Sequence, residues 1–128
     1  MCLLWVNNTY EPNDNMIEGY KVFKKRGNRY YGIYSGGNRI EGKSYNSTNG
    51  KIESVYTSYY DCGFHAYRFL NSAQMLLSTL CFSRWDDSIE KFALCKVHLW
   101  DIRALGKENR GQVYVGKHMR IIKEKIVV

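Results

Sequence analysis

The chain has 128 residues, is 45% hydrophobic and 24% charged, and carries a formal net charge of +7. These values fit one domain over residues 1–128 with a core that needs no disulfide staples, and they exclude a disordered chain. No apolar run is long enough to cross a bilayer and no signal peptide opens the chain. The expected setting is therefore the cytoplasm, with Cys2, Cys62, Cys81 and Cys95 as reduced thiols and no membrane partner.

Leu3 to Val6 reads as a short buried strand. Asn7 to Asn15 is polar, contains Pro12 and reads as a loop. Gly19 to Lys25 alternates: Tyr20 and Val22 share one side, with Lys21, Phe23 and Lys25 on the other. Arg26-Gly27-Asn28 is a turn signal, and Arg29 to Tyr34 completes a hairpin. Arg39 to Tyr45 is a candidate third strand, followed by a polar loop and a Tyr-rich β stretch over Ile52–Tyr60. Leu70 to Phe82 is the predicted helix. Ala73, Leu76, Leu77 and Leu80 recur at helical spacing, and Asn71 with Gln74 has the pattern of a capping box. Phe92 to Ile102 is the clearest strand, with Ala93, Cys95, Val97 and Leu99 on one face and Lys96, His98 and Trp100 on the other. Ala104 to Gly111 reads as a polar loop, and Gln112–Val115 and His118–Val128 as one or two closing strands. The expected fold is α+β: a mostly antiparallel, twisted sheet with one main helix, about residues 70–82, packed on it.

Charge is unevenly spread. Residues 1–20 hold three acids and no base, residues 21–43 hold seven bases and one acid, and residues 91–128 hold nine bases and three acids. If the two basic blocks meet in space they form one cationic face for an acidic partner. Within the first block, cations interleave with aromatics. The candidate binding residues are Lys21, Lys24, Lys25, Arg26, Arg29, Tyr30, Tyr31, Tyr34 and Arg39. Such a hairpin can dock on an acidic protein or a protein–nucleic acid complex, or bind nucleic acid directly.

The stretch Asp61-Cys62-Gly63-Phe64-His65 concentrates reactive groups. Cys62/His65 and Cys95/His98 are two Cys-x-x-His pairs, the stoichiometry of a zinc site. Residues three apart on a strand point to opposite faces, however, so Cys95 and His98 cannot chelate one ion, and no metal or other cofactor is expected. A thiolate at Cys62 activated by His65 is an enzymatic alternative, as is Cys2 acting as an N-terminal nucleophile after loss of Met1. The order of elements also resembles ADP-ribosyltransferase-like folds, which implies a site from Tyr20, His65 and Gln112. Against these, His65 reads as a satisfied polar residue at a strand-to-helix junction, with Gly63 setting the turn.

Met1-Cys2-Leu3, Gly19-Tyr-Lys-Val-Phe23, Gly63-Phe-His-Ala-Tyr67, Ala93-Leu-Cys-Lys-Val97 and Gly111-Gln-Val-Tyr114 together resemble a family of small bacteriophage and prophage proteins. The resemblance carries over no catalytic residue. It implies a phage accessory protein acting in the bacterial cytoplasm by binding a host factor, including host-defence assemblies such as CRISPR complexes (an anti-CRISPR role).

Overall fold

The apolar alternation from Phe92 onward forms the centre of the longest strand in the structure, a computed structural model that describes residues 3–33, 39–40, 45–46, 51–53, 59–61, 63–83 and 91–128. In chain order the elements are β1 (Trp5–Thr9), β2 (Met16–Arg26), β3 (Arg29–Tyr31), β4 (Arg39–Ile40), β5 (Tyr45–Asn46), β6 (Lys51–Glu53), β7 (Tyr59–Asp61), β8 (Phe64–Tyr67), α1 (Leu70–Ser83), β9 (Lys91–Glu108) and β10 (Gly111–Val127). Every pairing is antiparallel. The described residues thus form a mostly antiparallel sheet with one helix on it, the α+β class expected from the sequence.

The sheet curls back on itself. β9 pairs β10, β10 pairs β8, β8 meets β2 at Tyr67–Tyr20, and β2 pairs β9 again. Bulges supply the bending. Ala104 faces Val115 while Ile102 faces Gly116, which leaves Arg103 as an extra residue on β9; Ile122 and Lys125 are extra on β10. Each bulge adds local twist and turns the strand.

Side-chain alternation divides the buried residues between the two faces. Phe23, Ala66, Ala93, Cys95, Val97, Leu99 and Met119, drawn from all four strands of the closed path, make one cluster. Val22, Tyr67, Leu94, Val113 and Val115 make the other, together with Ala73, Leu76 and Leu77 of α1. Neighbours such as Val22/Phe23 and Ala66/Tyr67 therefore serve opposite cores. The helix buries the stripe that its spacing predicts, but it starts at Leu70, so Asn71 sits exposed inside the first turn and does not precede the helix as a cap.

Two segments depart from the sequence reading. Asn7–Thr9 belongs to β1, an edge strand with mostly exposed residues, which is why its polar side chains look like a loop. Ala104–Glu108 continues β9, and the chain turns only at Asn109-Arg110. Of the one or two closing strands expected, the structure has one: Gln112–Val115 and His118–Val127 both lie in β10, where Gly116 lets the strand pass close to Leu99 and Trp100. Closeness of the strands demands a glycine at 106: a Cβ there would stand 2.2 Å from the Trp5 carbonyl oxygen, on the backbone of β1. Gly106→Ala is expected to lower unfolding stability by about 2 kcal/mol by prising β1 from β9, as read by urea denaturation.

Candidate functional site

The two basic blocks meet at one end of the sheet. Register sets Lys25 of β2 directly opposite Lys91, the first residue of β9. On the other side of β9, Ala93 faces Val127 and Lys96 faces Lys123, so the Lys123–Lys125 tail of β10 flanks the same end. The β2–β3 turn adds Arg26 opposite Arg29. Arg26, Arg29, Lys91, Lys123 and Lys125 are exposed, and Lys24 is half-buried. Among the described residues of these strand ends the one acid is Glu124, and it is already engaged: its Oε2 accepts from the Lys25 ammonium at 2.7 Å and from the Tyr30 hydroxyl at 2.5 Å, while Lys96 pairs with Glu18 of β2 at 3.1 Å. The Lys25 ammonium beside it leads the interactions that hold the Glu124 carboxyl below the usual range against the opposing effect of burial.

The predicted binding residues fall into three groups. Arg26, Arg29 and Tyr31 form the hairpin tip, where the Arg26 guanidinium lies 5.3 Å from the centre of the Tyr31 ring, a cation–π contact. Lys25 and Tyr30 are used within the fold: Tyr30 packs edge-on against Phe23 at 5.7 Å and, with Lys25, closes on Glu124. Lys21 is a correction to the surface reading. It shares its side of β2 with the core residue Phe23, and its ammonium donates to the His65 carbonyl at 2.7 Å, bridging β2 to β8. Burial pushes its pKa down to about 8. Tyr34 lies outside the described residues, and Arg39 is described only as a backbone position in β4. Lys91, Lys123 and Lys125 were missed by the hairpin reading. Their charge was visible in the sequence, but only strand pairing brings Lys91 opposite Lys25 and the Lys123–Lys125 tail along β9.

The alternative site around His65 has a different character. His65 is 5% exposed, and its Nδ1 lies 3.1 Å from the Gly63 carbonyl oxygen. A carbonyl only accepts, so Nδ1 carries the proton and Nε2 accepts from the Tyr60 hydroxyl at 2.8 Å. The Tyr60 oxygen in turn accepts from the Leu3 amide at 3.1 Å. Burial, then the nearby Lys21 ammonium, pushes the His65 pKa down to about 3. A neutral ring with both nitrogens occupied is a buried strut that ties β8 to β7 and to Leu3. Gln112 is not beside it: the residue opposite His65 on β10 is Val115, and the Gln112 amide oxygen accepts from Arg68 at 2.7 Å. Cys62 and Cys2 lie outside the described residues. Cys95 is buried, with its thiol pushed up to about 12 by burial, while His98 on the opposite face pairs with Glu18 at 3.3 Å.

No family model, no curated protein and no solved structure matches the chain. Among the described residues no helix is long and apolar enough to cross a membrane.

Proposed function

We propose that the chain is a binding module that docks its cationic sheet end on an anionic surface, that of an acidic protein or a protein–nucleic acid complex. The observation that supports this reading most is the set of exposed bases that strand pairing gathers at this end: Arg26 opposite Arg29, Lys91 on the neighbouring strand, and Lys123 and Lys125 on β10. Like charges placed side by side destabilise a sheet. A fold that gathers bases from two distant sequence blocks at one end bears that cost, and an anionic partner relieves it. The resemblance to phage and prophage proteins favours a partner among host factors of the bacterial cytoplasm, defence assemblies such as CRISPR complexes included, with the chain as inhibitor.

The experiment is a capture from bacterial lysate with and without nuclease, run beside a version of the chain in which Arg26, Arg29 and Lys123 are each changed to Glu. A protein retained by the wild type regardless of nuclease, and lost by the reversed version, supports the reading. Equal retention by both removes it. Recovery of nucleic acid alone, again lost on charge reversal, directs the same surface to nucleic acid.

Glu124→Gln offers a second handle. It removes the carboxylate that Lys25 and Tyr30 share and weakens two hydrogen bonds. Unfolding stability is expected to fall by about 1 kcal/mol while affinity for an anionic partner rises a few-fold. Calorimetry and a binding titration on the same sample read both effects.

A further inference from the structure

β10 ends with one edge open. Its first half is paired on both sides: β9 runs along one edge, while β8 and then β5 cover the other, at Val113–Gly116 and at His118–Met119. From Arg120 to Val127 the strand pairs β9, and among the described residues no strand lies along its other edge. At about 3.3 Å per residue this is roughly 25 Å of edge whose outward N–H and C=O groups have no partner strand there. Both cores reach this far, since Ile121 packs against one and Ile126 against the other. The stretch is therefore anchored as a strand.

The side chains along the edge decide what can pair there. Arg120, Lys123 and Lys125 are exposed, and so are the apolar Ile122 and Val127. Glu124 is the one acid of the stretch, and Lys25 and Tyr30 already hold it. A second copy paired here would set two such rows of bases against each other, and like charges facing across strands destabilise a sheet. An extended acidic segment has the complementary charge. Its carboxylates fall beside Arg120, Lys123 and Lys125, its alternate apolar side chains meet Ile122 and Val127, and its backbone takes up the open edge. The bulges at Ile122 and Lys125 twist this edge, which suits one short segment and not a long flat sheet.

We propose that the β10 edge from Arg120 to Val127 takes up an extended acidic segment of the protein partner as an added strand. The inference rests on the cationic-end reading and specifies how that end engages. Backbone hydrogen bonds along β10 supply affinity, and the flanking bases select acidic side chains.

The test is an NMR titration of the full ¹⁵N-labelled chain with a blocked heptapeptide of alternating glutamate and valine, and with the same peptide N-methylated at its three central residues. Methylation removes backbone donors from both edges of the peptide and leaves its charge unchanged. The plain peptide is expected to bind saturably and to slow amide exchange at outward-facing positions between Arg120 and Val127 about fivefold or more. Methylation is expected to weaken binding at least about tenfold. Equal binding of the two peptides, or binding that shifts Arg26 and Arg29 without slowing exchange in β10, overturns strand addition and leaves the cationic end standing. So does binding to heparin or to single-stranded DNA with none to the peptide. Failure to bind any of these polyanions removes both readings. Slowed exchange along this edge that appears without peptide and grows with protein concentration gives the edge to a second copy and overturns the assignment.

Discussion

Changing Lys24, Arg26 and Arg29 together to Glu is expected to reduce affinity for the anionic partner by about a hundredfold or more, at a cost of about 1 kcal/mol in unfolding stability. All three lie at the β2–β3 hairpin, where Arg26 and Arg29 are exposed and Lys24 is half-buried, so the loss within the fold is confined to hairpin contacts such as that of Arg26 with Tyr31. Reversal replaces attraction with repulsion at three neighbouring points. Lys25 is left out deliberately. Its ammonium is bonded to Glu124, so a Glu there would press two carboxylates together and confuse folding with binding. The loss should fall mainly on the association rate and should shrink as salt rises, since exposed charges are screened over about 8 Å at physiological ionic strength. Surface resonance on the captured partner measures the rate, and elution from a heparin column gives a readout that needs no partner. An unchanged association rate would sink the cationic-end reading.

The sequence made the amphipathic elements legible because each buries one stripe. Ala73, Leu76 and Leu77 mark α1, and Ala93 to Leu99 mark the centre of β9. β1 was illegible beyond Val6 because an edge strand with water on both sides has no apolar pattern to show. The second half of β9 hid for another reason. The bulge at Arg103 breaks the period of two, and Gly106 is small because the β1 backbone crosses where a side chain would stand. The hairpin itself held a clue to which of its cations turn inward. Lys21 and Lys25 alternate with the core residue Phe23, so they share its side of the strand, and both find partners within the fold. What no local pattern contains is the juxtaposition of residues 25 and 91, or of Asp61 and Arg103, because closure of the sheet creates both.

His65→Ala is expected to lower unfolding stability at neutral pH by about 3 kcal/mol and to leave partner affinity unchanged. The substitution opens a cavity at a buried position. It also strips the Tyr60 hydroxyl of its acceptor and the Gly63 carbonyl of its donor. Acidification supplies the more telling measurement. His65 stays neutral in the fold down to about pH 3, whereas its ordinary pKa is 6.5. Between those values the unfolded chain binds a proton that the folded chain refuses. Stability therefore rises with pH through this window and is lost as pH falls, by up to about 1.4 kcal/mol per pH unit. The Glu124, Asp101 and Glu18 carboxyls, all held below their usual range by cationic neighbours, also lose stabilisation in acid. They are common to both proteins, so the wild type minus variant difference isolates the histidine. Urea midpoints taken from pH 7 to pH 4 should converge for the two proteins as acid erodes what His65 contributes. A difference independent of pH, or a variant that keeps its stability but loses its partner, would return His65 to the list of working residues; convergence with binding intact fixes it as the buried strut that joins β7, β8 and Leu3.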